Sequence, residues 1–338
     1  MILKFQNTGL IKSGILLSPD PIPTLPPFTI RAKFSQGYTP NMGNYQELVD
    51  AEQNIWDITK YSMDWSYLFS NESNLLRVLD ANASNVINMS HMFNNCENLN
   101  SVALFDTSSV TNMNAMFSHC KNLYTVPLFN TSSVTDMQSM FYYCTSLATV
   151  PLFDTSSVMY MDYMFYTCSN LTEVPLFDTS KVTAMNEMFN SCVKLTTVPL
   201  FDTSKVTNMA FMFYNCYGIT SLPLFDTSSV VYMGYMFYRC NGLTTVPVFD
   251  TSKVVDMDHM FSDCARLSAV PLLNTSKVTN MNYMFRMCAQ VKSGALALYQ
   301  QASSQANPPA SHTKTFYGCG SDTTSGSAEL RQIPSTWK

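Results

Sequence analysis

Cysteine is the residue whose spacing first suggests chemistry in this sequence. Nine of the ten cysteines recur every 24 residues, at positions Cys96, Cys120, Cys144, Cys168, Cys192, Cys216, Cys240, Cys264 and Cys288. In stacked coils, neighbouring cysteines would lie about 4.7–4.9 Å apart, which is within reach of a disulfide. A ladder with an odd number of members has no reason to pair in twos, and free cysteine is typically a buried apolar residue. We therefore predict a ladder of free thiols in the core. Because no Cys-x-x-Cys or Cys/His spacing occurs, we expect no zinc.

A second periodic set consists of acidic residues that could bind a cation. One repeat position is occupied by Asp106, Asp154, Asp178, Asp202, Asp226 and Asp250. Stacked carboxylates are ligands that Ca²⁺ accepts. However, Asn130 and Asn274 occupy the same position without charge. The Asp-Thr-Ser motif also supplies the oxygens that satisfy free amides at turns and helix starts. We therefore favour a capping role for these aspartates and expect no metal site.

Catalytic arrangements find little support in the sequence. The four histidines, His91, His119, His259 and His312, share no partner and no ligand spacing. Serines are abundant, but no histidine recurs with them as a catalytic triad would require. No glycine-rich phosphate loop occurs. We expect no catalytic residue, no cofactor and no enzymatic activity.

These side chains all belong to a single repeat that must position them. A Met-Phe pair recurs every 24 residues from Met92-Phe93 to Met284-Phe285, with no insertion. A fixed period of this length is the signature of a solenoid, in which each unit contacts only its neighbours. One unit offers too little apolar surface to fold alone, so the copies are expected to stack.

Each repeat divides into two halves with different patterns. The first half, Leu-x-x-Val-Pro-Leu-Phe, matches the strand segment of a leucine-rich repeat, with Val150 and Leu152 inward and Pro151 outward. The proline removes one backbone donor, so we expect a short strand with a missing rung. In the second half, Val158, Met161, Met164, Phe165 and Cys168 share one helical face, which predicts a buried helix. The predicted fold class is α/β, a leucine-rich-repeat-like solenoid of about nine to ten coils, each with a short strand and a short helix.

The flanks differ from the repeats and divide the chain into three parts. We predict an N-terminal strand-rich segment at residues 1–62, a solenoid at residues 63–291 and a C-terminal cap at residues 292–338. Within the flanks we predict strands at residues 1–5 and 28–34, a stiff proline-rich linker at residues 21–27, and helices at residues 44–60 and 294–303. Three tryptophans outside the regular coils are expected to cover the ends of the core: Trp56, Trp65 and Trp337.

Charge and hydropathy exclude several partners. With 24 acidic and 19 basic residues, the chain is mildly acidic, which argues against nucleic acid and against an anionic membrane surface. No run approaches the roughly 18 apolar residues of a membrane span, so we expect no membrane insertion. The first residues lack the pattern of a secretory signal, which predicts synthesis and maturation in a reducing cytoplasm.

The repeat resembles a known family. The run Val-Pro-Leu-Phe-Asp-Thr-Ser-Lys-Val-Thr-Asn-Met-x-x-Met-Phe-x-x-Cys-x-x-Leu is similar to the BspA-like leucine-rich repeats of bacterial surface proteins and mycoplasma lipoproteins, over about residues 64–291. The unit here has 24 residues and a proline in the strand, whereas the surface-protein form is usually slightly longer. Residues 28–40 and 293–304 resemble the flanks of tail-associated proteins of gut bacteriophages and prophages. This second resemblance implies a virion component.

An aromatic stripe is the candidate binding surface. At about 100° per residue, Tyr163 and Tyr166 fall roughly 140–160° from the buried face of the predicted helix and should face solvent. Aromatic residues crowd the equivalent positions of several coils where the core does not require them. Contiguous exposed aromatics mark interaction sites, although these rings could also pack on one another and merely shield the helices. The candidate binding residues are Tyr142, Tyr163, Tyr166, Phe211, Tyr214, Tyr235, Tyr238 and Tyr283.

These patterns together predict a non-enzymatic recognition or structural module. The main hypothesis is a phage or prophage tail protein, located in the virion after cytoplasmic synthesis, that binds a host-surface glycan or protein or another virion protein. The alternative is a bacterial cell-surface adhesin of the BspA-like type, and a cytoplasmic scaffold is the third hypothesis. We expect residues 1–62 to attach the protein to a partner or to copies of itself. A chain beginning near Met63 would then keep its fold and lose assembly.

Overall fold

The computed structural model describes residues 25–338. The predicted strand at residues 1–5 and the beginning of the predicted linker at residues 21–27 lie outside the described residues. The regular elements are the strands β1 (Thr29–Phe34), β2 (Tyr45–Asp50), β3 (Ile55–Thr59), β4 (Leu75–Asn82) and β5 (Ser101–Val102), the helices α1 (Ala295–Ser303) and α2 (Thr324–Gln332), and a 3₁₀ turn (Ser335–Trp337).

A five-stranded sheet closes the N-terminal end of the molecule. Its strand order is β2-β3-β1-β4-β5. β1 pairs antiparallel with both β3 and β4, and β5 pairs parallel with β4. Ile30, Ala32 and Phe34 of β1 are buried, so the strand predicted at residues 28–34 is confirmed. β1 thus joins an N-terminal hairpin to the first coil of the stack.

The helix predicted at residues 44–60 is wrong, because this segment forms the antiparallel hairpin of β2 and β3. The Asp50 carboxylate accepts the backbone N–H groups of Glu52 and Gln53 at 2.9 and 3.0 Å. Asn54, at φ 55°, completes the reversal. Ile58 lies opposite Ile30 and is fully buried. Pairing with β1 therefore overrides the local helical pattern, as tertiary context commonly does.

In each repeat, turns whose N–H groups bond to the next coil replace the predicted helix. The structure describes all of residues 86–291 and has no helix there, so the prediction of one strand plus one helix per coil is wrong. Phe165 donates its backbone N–H forward to Met188 O at 2.9 Å, whereas Met164 bonds back to Met161 O at 3.2 Å. Tyr163 adopts φ 59°. A helix needs every N–H directed to the carbonyl four residues back. Here every second N–H group donates to a carbonyl of the next coil instead. Residues with positive φ, such as Tyr163, bend the chain so that this is possible.

The buried positions of the repeat are nevertheless confirmed. Val158, Met161, Met164, Phe165 and Cys168 are all 0% exposed. A chain of successive turns with three-residue hydrogen bonds repeats its direction about every three residues, much as a helix does. The apolar spacing therefore identified the buried face correctly while leaving the backbone conformation undetermined.

In five consecutive coils the first half of the repeat is also turn-like. Phe153 N–H donates to Pro151 O at 3.0 Å, which closes a three-residue turn with Leu152 at its apex. Val150 and Phe153 are buried as a result, and Leu152 is 59% exposed. The prediction that Leu152 points inward is therefore wrong, because the chain turns at this position and does not alternate as a strand would.

Proline explains where strands stop. β4 and β5 pair in parallel, and Ala103 N–H extends that ladder to Val78 O at 3.0 Å. Ala103 stands at the repeat position that Pro127 occupies in the next coil. A proline there cannot donate, and further prolines follow one per coil. We predicted that proline would remove one hydrogen bond from a short strand. Among the described residues, the proline-containing coils have no strand at all.

The core is a stack of identical side chains. Successive phenylalanine rings lie nearly parallel, with centroids 5.1–6.0 Å apart. The rings are those of Phe69, Phe93, Phe117, Phe141, Phe165, Phe189, Phe213, Phe237, Phe261, Phe285 and Phe316. The predicted solenoid is therefore confirmed, and it is held together by contacts between equivalent residues of neighbouring coils.

The repeat pattern resumes after an insertion at the C-terminus. The chain leaves the stack after Val291, forms the predicted helix as α1 (Ala295–Ser303), and returns at Ser311, which bridges to Asn280. Phe316 then stacks on Phe285 at 6.0 Å, and Cys319 is buried. The spacing Phe-x-x-Cys at these two residues repeats that of Phe285 and Cys288, and this signal was available in the sequence.

Trp337 closes the C-terminal end, as predicted. Its ring stacks on His312 at 4.2 Å and contacts Phe316 and Tyr299 at 6.3 and 5.4 Å. α2 holds α1 in place through Glu329, whose carboxylate accepts the backbone N–H of Leu296 at 3.1 Å. Negative charge at a helix start is favourable. Within residues 25–338, neither helix has the length and apolar character needed to cross a membrane.

Candidate functional site

The predicted aromatic stripe consists of two clusters of stacked rings on one face of the solenoid. In the first aromatic cluster, Tyr142 stacks on Tyr166 with centroids 4.7 Å apart, and Tyr163 lies 6.4 Å from Tyr142. His119 and Tyr143 join the same cluster, stacked on each other at 5.1 Å. All five side chains are half-buried. The sequence prediction included only the three tyrosines at the stripe positions and missed the two residues at the adjacent repeat position.

The second aromatic cluster forms two parallel columns. In one column Phe211, Tyr235, His259 and Tyr283 stack in succession at 4.7, 4.5 and 4.6 Å. Tyr214 and Tyr238 form the second column, with centroids 4.7 Å apart. His259 was missed by the prediction, although it occupies the same repeat position as Tyr235. The six rings are half-buried because each covers the face of the next.

A carboxylate separates the two clusters. Glu187 stands in the column between Tyr163 and Phe211 and accepts a hydrogen bond from Asn190 Nδ2 at 3.0 Å. Burial raises the pKa of Glu187 above its usual value. The eight predicted residues therefore form two surfaces, not one continuous stripe.

Burial also affects two of the tyrosine hydroxyls. Desolvation is the main cause that raises the pKa of Tyr166 and of Tyr235 to about 12. Both groups therefore stay neutral hydrogen-bond donors well above physiological pH. The rings thus present an apolar edge with neutral polar tips, which is chemistry suited to binding.

A column of exposed leucines is the largest feature that sequence reasoning missed. The residue at the repeat position of Leu152 is 55–64% exposed in every coil from Leu104 to Leu272. We call this column the leucine ribbon. It consists of Leu104, Leu128, Leu152, Leu176, Leu200, Leu224, Val248 and Leu272. The available signal was the proline preceding most of these residues, since proline at a strand centre argues against a strand.

The periodic aspartates have the predicted capping role, at turns and not at helix starts. Asp178 Oδ1 accepts the backbone N–H of Ser180 at 3.0 Å, and the other members make the same turn. These hydrogen bonds hold the pKa of Asp178 below its usual value. Among the residues that the structure describes, no group of three or more His, Cys, Asp or Glu side chains could hold a metal ion.

The cysteines form the predicted thiol ladder. All ten are buried and free. In the nine repeats each Sγ lies 3.0–3.1 Å from a phenylalanine carbonyl of the preceding coil, as Cys168 does from Phe141 O. Desolvation raises the pKa of Cys96 and Cys264 to about 12. Such thiols are poor nucleophiles at physiological pH.

The stacked coils define a repeat solenoid, and the family of the chain is known. Residues 61–173, 146–244 and 217–305 match the family model described as "Mycoplasma protein of unknown function, DUF285". These matches together cover residues 61–305, well over half of the 338 residues. The chain belongs to this family. Membership supports the resemblance to BspA-like repeats.

Several solved structures are similar in architecture at low identity. A leucine-rich cell surface protein from Faecalibacterium prausnitzii A2-165 is 19% identical, with 73% of this chain and 78% of that chain covered and a TM-score of 0.39. A leucine-rich repeat protein from Bacteroides ovatus ATCC 8483 is 18% identical, with coverages of 89% and 90% and a TM-score of 0.40. The functional domain of InlJ from Listeria monocytogenes, which includes a cysteine ladder, is 12% identical, with coverages of 66% and 53% and a TM-score of 0.26. Likeness at this level carries no argument about function.

No curated protein matches the sequence. The comparisons give no support to the predicted phage-tail context, which stays a prediction. They likewise leave the binding role of the aromatic residues untested.

Proposed function

We propose that the protein is a non-enzymatic adhesion module that is located at a bacterial cell surface and binds other proteins. The leucine ribbon is the observation that supports this most directly. Eight apolar side chains stand in one line, each more than half exposed. Soluble proteins rarely expose contiguous apolar surface of this kind unless it is an interaction site.

The ribbon has the organisation of a protein interface. With neighbouring coils about 4.8 Å apart, eight positions extend over roughly 34 Å. The six periodic aspartates, together with Asn130 and Asn274, lie two residues further along the coils and are exposed, so a polar border runs beside the apolar line. Protein interfaces commonly combine an apolar centre with a polar rim.

The ribbon is also held in a fixed geometry. Five of the eight ribbon residues, from Leu128 to Leu224, are set by a short turn, such as the bond from Phe177 N–H to Pro175 O at 3.0 Å. The phenylalanine that follows the apex is buried, as Phe177 is beside Leu176. A surface that is ordered before binding loses less conformational entropy on association. This favours a role of the leucine ribbon in binding over the alternative that its leucines are exposed without a function.

The binding test changes the ribbon without changing the core. We expect Leu176→Ser, Leu200→Ser and Leu224→Ser together to abolish attachment of labelled protein to cultured epithelial cells. The matched control is one variant in which three exposed apolar residues outside the leucine ribbon are changed together: Ile87→Ser, Met159→Ser and Tyr232→Ser. Attachment of wild type should disappear when the cells are treated with trypsin. Undiminished attachment of the ribbon variant at wild-type stability would contradict the proposal.

The cell-surface location is favoured by the BspA-like resemblance together with the family match over the repeats. Antibodies against the protein should label intact cells of the source bacterium. Labelling confined to purified phage particles would replace the cell surface with the virion, as the main hypothesis from the sequence predicts.

The aromatic clusters are proposed as a second binding surface. Stacked rings with neutral hydroxyl tips offer both apolar area and hydrogen bonds. The variant with serine at Tyr163, Tyr166, Phe211, Tyr214, Tyr235 and Tyr238 should lose cell binding. A loss of several kcal/mol of stability with binding retained would show that the clusters only pack.

A further inference from the structure

A notch interrupts the ring columns next to the first aromatic cluster. The repeat position held by Tyr67 and His91 in two consecutive coils is held by Ala115 and Ser139 in the next two, before Tyr163 restores a ring. The missing side chains leave a cavity of about 240 Å³. Pockets that enclose a drug-sized ligand measure about 300–1,000 Å³, so this cavity suits a single ring.

Two aromatic faces are turned toward the notch from opposite sides. Tyr67 covers one face of the His91 imidazole, with centroids 4.6 Å apart and planes 6° from parallel. The other face of His91 is directed along the stack toward Ala115. Tyr166 covers one face of Tyr142 at 4.7 Å. The other face is directed toward the preceding coil, where the His119 ring lies tilted by 54° with its centroid 5.3 Å away. His91, His119 and Tyr142 line the cavity.

Neutral polar groups complete the lining. Asn94, Asn114, Ser118 and Gln138 all face the cavity. Asn114 Nδ2 donates to Gln138 Oε1 at 3.3 Å, which leaves the amide N–H groups of Gln138 to donate elsewhere. The remaining amides and hydroxyls provide both donors and acceptors in a small volume.

The notch is poorly suited to an anion. No lysine or arginine lines it, and the Asp136 carboxylate lies 3.4 Å from Asn114 Nδ2. Lys121 is engaged with Glu97 Oε1 at 2.7 Å. Burial lowers the pKa of His91 and of His119, so both imidazoles are neutral at physiological pH.

The geometry points to a binding site for one neutral pyranose residue of a glycan. A pyranose ring has apolar C–H faces that pack on aromatic rings, and its hydroxyl groups both donate and accept hydrogen bonds. The notch offers the matching surfaces, with rings at either side and amides and hydroxyls between them. This inference deepens the proposed adhesion function by naming a second class of ligand, and it places that ligand on a surface separate from the leucine ribbon.

The repeat itself provides a variant that fills the notch. Ser139 has φ 57°, nearly the same as Tyr163 at 59° and Tyr235 at 57°. Tyrosine is therefore compatible with this backbone position, and Ser139→Tyr should fold normally while occupying the cavity. Glu187→Tyr is the matched control, because it adds a ring at the same repeat position two coils away.

The test is saturation-transfer difference NMR with the full chain. The probes are the methyl glycosides of glucose, galactose, mannose and N-acetylglucosamine, with sialyllactose as the acidic comparison. We expect wild type and Glu187→Tyr to saturate at least one neutral glycoside, and Ser139→Tyr to show at least a tenfold weaker signal at unchanged melting temperature.

Three outcomes would overturn the inference: no signal from any neutral glycoside, a signal from sialyllactose alone, or an undiminished signal from Ser139→Tyr. The ribbon variant with serine at Leu176, Leu200 and Leu224 should bind the glycoside normally. Loss of cell attachment by that variant with saccharide binding retained would separate the two sites, so either proposal can fail without the other.

Discussion

The threonine of each Asp-Thr-Ser motif, and of the equivalent Asn130-Thr-Ser, connects one coil to the next. Its hydroxyl donates to the carbonyl oxygen 23 residues ahead at 2.7–2.8 Å, and the side chain is at most 1% exposed. The members of this threonine ladder are Thr107, Thr131, Thr155, Thr179, Thr203, Thr227 and Thr251. From the sequence we predicted a capping role for this motif, and the aspartate has that role. The inward orientation of the threonine was not predicted.

Replacing one member of the threonine ladder should cost a measurable amount of stability. Thr179→Val keeps the shape of the side chain and removes the hydrogen bond to Asp202 O. We expect the free energy of unfolding to fall by about 0.5–1.5 kcal/mol, the net contribution of one hydrogen bond. Urea denaturation followed by circular dichroism measures it. The exposed Thr197→Val is the control and should stay within about 0.5 kcal/mol of wild type.

The thiol ladder predicts loss of stability in alkali. A thiol in the unfolded chain ionises near pH 8.5, whereas burial raises the pKa of Cys96, Cys264 and Cys319 to about 12. A group whose folded pKa is raised stabilises fully below its unfolded pKa, and that stability falls as pH rises toward the folded pKa. Each such thiol should lower the free energy of unfolding by about 1.4 kcal/mol per pH unit between roughly pH 9 and 12.

Urea midpoints at pH 7, 9, 10 and 11 measure this effect. The midpoint should be flat below about pH 8 and fall steeply above pH 9. Tyr166 and Tyr235 shift in the same direction, so the cysteine share is isolated with Cys264→Ala, which should reduce the slope by one proton. A midpoint unchanged from pH 8 to pH 11 would be incompatible with buried thiols.

At the scale of elements, the sequence predicted burial more accurately than backbone conformation. The spacing of Met161, Met164, Phe165 and Cys168 identified the buried side chains but suggested a helix. A helix and a series of turns place nearly the same positions inward, and only inter-coil hydrogen bonds distinguish them. Those bonds depend on neighbouring copies, so a pattern within one copy cannot reveal them. The outward Leu152 was missed for the same reason, because a turn at Pro151 replaced the expected strand.

The N-terminal hairpin is both a cap and an exposed edge. Phe34 packs 6.4 Å from Phe69, and β1 covers the outer edge of β4. Removing residues 1–62 should therefore lower the melting temperature and promote aggregation through the uncovered strand, not leave the fold intact as the sequence suggested. Differential scanning calorimetry and light scattering check this. An unchanged melting temperature would contradict the capping role.

The proposed attachment role of the N-terminal segment needs a milder change. β2 is the edge strand of the sheet, and its Leu48 and Val49 are 44% and 47% exposed. Leu48→Lys with Val49→Lys leaves β1 and β3 in place, so it separates assembly from capping. Sedimentation velocity of this variant shows whether the segment joins copies of the chain.

At the scale of the whole molecule, the sequence was sufficient to predict the stack. An unbroken period of 24 residues requires equivalent side chains to lie above one another, and the phenylalanine rings do so. The predicted end of the pattern at Val291 was premature, since a helix is inserted before Phe316 resumes it. The notch was not predicted, because Ala115 and Ser139 are unremarkable residues until their neighbours are seen to be rings.

Removing one whole coil should leave a folded protein. Deletion of residues 171–194 joins Asn170 to Leu195 in register and brings Phe165 and Phe213 into adjacent coils. Each coil contacts only its neighbours, so we expect the circular-dichroism spectrum to keep its shape and unfolding to remain cooperative. Deletion of residues 171–182, half a coil, should give insoluble protein. Equal behaviour of the two deletions would contradict nearest-neighbour stacking.

The forward-directed hydrogen bonds between coils also determine how the molecule responds to tension. Pulling the two ends apart loads the coil interfaces in series, so a terminal coil detaches while the others keep their contacts. Each detached coil frees 24 residues, which is roughly 80 Å of extended chain in exchange for about 5 Å of stack height. In the proposed adhesion role, we expect a module built this way to lengthen in steps under shear flow. It thereby dissipates mechanical work in its own repeats before the bond to its ligand has to bear the full load.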